Sequence, residues 1–101
     1  MRRPDFITDE DITRWSENID NDPRIPASIA NSPIIREVCY AGLWISEELD
    51  KLNCPDDLIV RIQHAAGGLS FGRDIWETHQ AVLKSYINNE IQLESEPIDM
   101  N

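Results

Sequence analysis

Two histidines and two cysteines are the residues in this chain best suited to metal ligation or nucleophilic catalysis. A zinc site needs three or four ligands. His64, His79, Cys39 and Cys54 are the candidates. No pair of them stands at the i, i+4 spacing of a helical metal motif or at the spacing of a zinc knuckle. A cysteine nucleophile needs a lowered thiol pKa, which a position at a helix start would give Cys54. Asp56 and Asp57 follow at once and oppose that effect. Cys39 falls on an apolar stripe and is expected to be inert. The reading is therefore a non-enzyme with no catalytic residue, no metal and no cofactor. A small-ligand or metal-binding protein using His64 and His79 is the lesser alternative.

Gly67-Gly68-Leu69-Ser70-Phe71-Gly72-Arg73-Asp74 is the most unusual segment. Glycines meeting a helix start beside an arginine can hold an anion on backbone N–H groups, which makes Gly72 and Arg73 candidate anion ligands. The segment lacks the phosphate-loop pattern and a preceding strand, and Asp74 competes for the same helix end. A plain helix–helix turn explains it equally. A different chemistry comes from the acids. Glu47, Glu48, Asp50, Asp56 and Asp57 flank one inter-helix turn with only Lys51 for balance. Trp44 stands near the border of the adjoining apolar stripe. An acidic patch beside a border tryptophan is the composition expected where one protein meets another. These six residues are the candidate interaction set.

The whole chain agrees with that direction. Its 101 residues carry 19 acidic and 9 basic side chains, a formal charge of -10. Duplex binding needs clustered bases to neutralise phosphates. Here the bases are few and scattered, so direct contact with nucleic acid or an anionic membrane is not expected. Acidic surfaces steer toward basic partners, including the basic grooves of proteins that hold nucleic acid. No apolar run approaches the roughly 18 residues of a membrane span. The start, Met1-Arg2-Arg3-Pro4-Asp5, is basic like a secretion signal, but Asp9, Glu10 and Asp11 arrive before any apolar core. Two cysteines make no disulfide framework. A cytoplasmic protein with reduced thiols is the expectation.

The elements that must position these residues all read as helices. Thr8 is a capping residue with Asp9, Glu10 and Asp11 in the first turn, and Ile12, Trp15 and Ile19 share a face of a short helix ending near Asp20. Pro23, Pro26 and Pro33 break the next stretch, leaving room for a single turn at Ala27 to Ala30. Ser32-Pro33 opens a long central helix. Its stripe comprises Ile34, Val38, Ala41, Ile45, Leu49 and Leu52, widened by Ile35, Cys39, Gly42 and Leu43. Asn53 suits a left-handed stop. Cys54-Pro55-Asp56-Asp57 opens another helix, with Leu58, Ile59, Ile62, Ala65, Ala66 and Leu69 on its apolar face. Gly67-Gly68 could stop it, but Leu69 stays in phase, so it runs to about Ser70 with Gly72 beyond it, and a glycine pair inside a helix needs a reason, such as a close neighbouring backbone. Asp74-Ile75-Trp76-Glu77 matches a reciprocal capping box. Ile75, His79, Val82, Leu83, Tyr86 and Ile87 give the last helix its buried face.

These elements predict an all-α fold. It is a small single-domain bundle of about four helices over 1–91, with the short first helix laid across three longer ones. Residues 92–101, with three acids and Pro97, are expected to form a flexible acidic tail. The functional expectation is an acidic helical protein-interaction module, with inhibition or regulation of a basic partner as one version. The alternative is a self-assembling subunit, a homodimer through the Ser32 helix.

Overall fold

The computed structural model describes residues 3–88. The expected tail at 92–101 and the last residues of the 1–91 domain lie outside the described residues. The fold is all-α: α1 (Asp9–Asp20), α2 (Ala27–Ala30), α3 (Pro33–Lys51), α4 (Asp56–Ser70) and α5 (Ile75–Ile87). The single turn α2 joins the four helices read from the periodicity. None of the described helices is long and apolar enough to cross a membrane.

The starts follow local chemistry. Thr8 and Asp11 make a full capping box: Thr8 Oγ1 accepts from the Asp11 N–H and Asp11 Oδ2 accepts from the Thr8 N–H, both at 3.1 Å. The Ser32 hydroxyl accepts from the Ile35 N–H, with Pro33 at the first helical position. At α5 the Asp74 carboxylate accepts from the Glu77 N–H at 2.9 Å. Only this half of the box expected there forms. Cys54 is not a cap, because Pro55 holds the capping position of α4 and Cys54 turns inward. The stops are left-handed residues: Asn53 has φ 63 and Gly72 has φ 80. Asparagine and glycine tolerate that region best, which is why α3 and α4 end where they do.

Helix α3 is the centre and packs on each of the other four helices. Its Ala41, Ile45 and Leu49 meet Ile59, Ile62 and Ala66 of α4 and Ile75 and Trp76 of α5 in one core. The stripe is shorter than its sequence pattern. Ile34 is 61% exposed and Leu52 46%, because both sit at the ends of α3, beyond the helices that cover it. On α4 the buried line is Ile59, Ile62, Ala66 and Ser70, so Leu69 falls at the edge and is 51% exposed. Ser70 is accommodated inside because its hydroxyl donates to the Gly67 carbonyl at 2.8 Å.

The tight approach between helices is at Gly42, not at Gly67-Gly68. A Cβ on Gly42 would stand 3.1 Å from Gln63 Nε2, while one on Gly67 would make an ordinary contact and one on Gly68 would meet nothing within 4 Å.

Helix α1 runs back along α3. Arg14 midway along it pairs with Glu47, Ser16 meets Tyr40, and Asp20 at its end pairs with Arg36. The order of these contacts gives opposite directions for the two helices, so α1 lies alongside α3. Trp15 passes beneath it to reach Trp76, with ring centroids 6.5 Å apart. Burying one tryptophan on α1 and one on α5 ties the short helix to the core.

Candidate functional site

One face of α3 carries Glu37, Tyr40, Trp44 and Glu47, spaced so that all four line up along the helix. Each is met by a residue from the N-terminal arm, α1 or α5. Arg3 grips Glu37 with two bonds: Nε donates to Oε2 at 2.7 Å and Nη2 to Oε1 at 3.0 Å. The Trp76 indole N–H donates to the same Oε2 at 2.7 Å. Arg3 also lies over the Tyr40 ring, 5.7 Å from its centre. Phe6 packs on Trp44 with ring centroids 5.7 Å apart, and Trp44 meets Trp76 edge-on at 6.2 Å. At the far end Glu47 accepts from Arg14 at 2.9 Å and from the Trp15 indole N–H at 3.0 Å. Two tryptophans thus anchor their N–H groups on two carboxylates, and each carboxylate is closed by an arginine.

The electrostatics of Glu37 follow from this geometry. Burial is the largest single influence and opposes the charged form. The hydrogen bonds from Arg3 and Trp76 and the positive charge of Arg3 act the other way and prevail, so the carboxyl stays below its ordinary range. Arg3 is pushed up in turn, chiefly by its bond to Glu37. Asp11 is lowered, first by the Thr8 N–H it accepts.

Beside this face lies an open groove of about 520 Å³. Phe6, Ile7, Trp15 and Trp44 supply its apolar lining, and Asp11, Arg14, Glu47, Glu48 and Lys51 its polar one. Of the six residues expected to form an interaction surface, Trp44, Glu47 and Glu48 meet here. Trp44 is more enclosed than a border residue, at 8% exposure, because Phe6 covers it. Glu47 and Glu48 are ion-paired with Arg14 and Lys51. Asp50, Asp56 and Asp57 are exposed and do not line the groove. They share its end of the bundle: α1 begins there with Asp9, Glu10 and Asp11, α3 ends there, and α4 begins there. Acids in the first turns of α1 and α4 suit the helix dipoles. Glu48 and Asp50 in the last turn of α3 are opposed by theirs, at about 0.3–1 kcal/mol each.

The other candidates lie apart. Gly72 and Arg73 are exposed at the opposite end of α4, and Asp74 fills the α5 start that an anion would need. His64 is exposed on α4, whereas His79 is fully buried on α5. His79 Nδ1 lies 2.8 Å from the Ile75 carbonyl, and its Nε2 meets no hydrogen-bond partner. Nδ1 carries the proton that faces this carbonyl; the bond favours the charged ring, but burial is the larger influence and pushes the pKa down. Among the described residues no group of three or more His, Cys, Asp or Glu is arranged to hold a metal. Cys39 is half-buried and its thiol pKa is raised by burial. Cys54 is buried and free, and the nearby thiol pushes the Tyr86 phenol up.

Glu37 and Arg3 stand outside the candidate residues singled out by the sequence pattern. A signal existed: Glu37 stands in phase with Ala41 and Trp44, an acid on the inner face of α3 far from its charged end. Searches of protein-family models, of curated proteins and of solved structures each return no match to this chain.

Proposed function

We propose that this chain is a non-enzymatic, acidic helical module. It binds a basic surface of a partner protein through the groove at Trp44 and the carboxylates around it, and so inhibits or regulates that partner. One observation carries the reading. Carboxylates from three helices gather at the groove end of the bundle, and those closing α3 stand against its dipole, where folding alone does not favour them. Most bases make intramolecular pairs: Arg3, Arg14, Arg24, Arg36 and Lys51 each hold a carboxylate. The exposed surplus at Asp50, Asp56 and Asp57 is left to face outward beside an aromatic groove. Such a surface accelerates encounter with a basic partner and excludes acidic ones. The cytoplasm is the proposed setting, where Cys39 and Cys54 stay as thiols.

Self-association through α3 draws no support from the packing, since the middle of its stripe, Ala41, Ile45 and Leu49, is buried against the other helices.

The test is affinity capture of the tagged chain from its own cells at low salt, alongside two charge-reversed variants. One carries Asp50→Lys, Asp56→Lys and Asp57→Lys. The other carries Glu77→Lys at the opposite end. The expected result is a partner held by the chain and by the Glu77 variant, lost from the triple variant and released by about 0.5 M salt. Equal recovery on the triple variant rejects the proposal.

A further inference from the structure

The charge on Glu37 is answered by the segment before α1, which side chains hold to the body: Arg3 on Glu37, Phe6 on Trp44 and Ile7 against the core. Arg3 and Phe6 belong to this arm, in which, among the described residues, the Ile7 N–H donates to the Pro4 carbonyl. The Glu37 side chain is 10% exposed while that of Arg3 is 42% exposed, so the guanidinium is the removable half of the pair. Phe6 rests on Trp44 yet is 54% exposed. The receiving half belongs to the core. Trp76, buried at 1% exposure, fixes the carboxylate through Oε2, and Tyr40, also buried, offers its ring beside it.

We propose that Glu37, Tyr40 and Trp76 form a guanidinium-accepting site, filled in the resting chain by Arg3, which an arginine of a partner segment takes over when the arm lifts. The chemistry selects arginine. A planar fork meets both carboxylate oxygens at once and lies against an aromatic ring, which a lysine ammonium cannot reproduce. A carboxylate left buried without its cation is strongly disfavoured, so an emptied site demands a replacement. The arm also brings an aromatic three residues after its arginine, onto Trp44 at the groove. An arginine followed at that spacing by an aromatic or large apolar residue is therefore the partner sequence the site fits.

The inference deepens the proposed function and rests on it, but its test is separate. The capture experiment reads exposed acids at one end of the bundle, whereas this one reads a buried carboxylate under the arm.

The full chain carrying Arg3→Ala is titrated with an acetylated peptide of its own residues 1–8, followed by tryptophan fluorescence. The controls are the same peptide with both arginines changed to lysine, the unsubstituted protein, and the Arg3→Ala, Glu37→Gln double variant. Helical circular dichroism first establishes that each variant is folded, and Arg3→Lys replaces Arg3→Ala if the latter is not. The expected result is saturable binding to the Arg3 variant. It weakens at least about tenfold for the lysine peptide and for the unsubstituted protein, whose own arm competes, and it vanishes with Glu37→Gln. No saturable binding overturns the proposal. So does equal affinity for the lysine peptide, or binding that survives loss of the Glu37 charge.

Discussion

Replacing Glu37 by glutamine removes a charge from the α3 face and leaves its shape nearly intact. Glu37 accepts three hydrogen bonds, two from Arg3 and one from Trp76. If the glutamine oxygen takes the place of Oε2, the Trp76 and Arg3 Nε bonds persist in weaker, neutral form. The amide NH2 then faces Arg3 Nη2, where the carboxylate bond measured 3.0 Å. Two donors meet, and one charge-assisted bond is lost. Bonds to charged groups contribute about 1.5–3 kcal/mol. Arg3 is 42% exposed and can turn toward water, which discounts the loss. We expect Glu37→Gln to destabilise the fold by about 1–2 kcal/mol near pH 7, a fall of about 4–16 °C in Tm for a domain of this size.

The pH dependence sharpens the test. The folded Glu37 carboxyl lies below its ordinary value of 4.5, so on acidification the unfolded chain takes up this proton first. The stabilisation is full above that ordinary value and is lost as pH falls through the folded one. Urea unfolding at about pH 7, 5 and 3.5 should give a gap between the two proteins that is steady at the first two and smaller at the third. The other carboxylates titrate in both proteins and largely cancel. A gap under about 0.3 kcal/mol near neutrality, or one that persists unchanged in acid, refutes the reasoning.

Four further outcomes follow from the same structure. Gly68→Ala should raise stability by up to about 1 kcal/mol, because the site is exposed inside α4 and a Cβ there meets nothing within 4 Å; Gly72→Ala, at φ 80, should lower it, both read by urea midpoint. Thr8→Ala removes an acceptor of the capping box and should destabilise by about 0.5–2 kcal/mol, with the fall in Tm measured by circular dichroism. His79 is buried neutral with its pKa below the ordinary 6.5, so the unfolded chain takes its proton first and stability falls as pH drops below that value. His79→Leu should flatten unfolding free energy against pH from about 6.5 downward, and an unchanged slope contradicts the assignment.

The parts of this fold that were legible in the sequence are those decided within a few residues. Thr8, Ser32 and Asp74 start helices through side chains that reach only three residues ahead. Asn53 and Gly72 stop them through their own backbone preference. The candidate site was half legible. Trp44, Glu47 and Glu48 share α3, so periodicity alone put them together. Glu37 was missed because its partners Arg3 and Trp76 stand 34 and 39 residues away, and no local pattern announces them. Trp44 looked like a border residue because nothing in α3 itself predicts that the arm will lay Phe6 across it. The close approach assigned to Gly67-Gly68 belongs instead to Gly42, whose neighbour Gln63 comes from another helix.

The proposed function places a partner on the groove beside Trp44. Site-specific photo-crosslinking in the chain's own cells tests it most directly. A photoreactive side chain replaces Lys51, exposed at the groove, in one protein, and Ala81, exposed on α5 and outside the groove lining, in another. The account predicts one crosslinked protein from position 51, enriched in basic surface and lost at high salt, and none from position 81. Crosslinks of equal yield from both positions, or none from position 51, would contradict it.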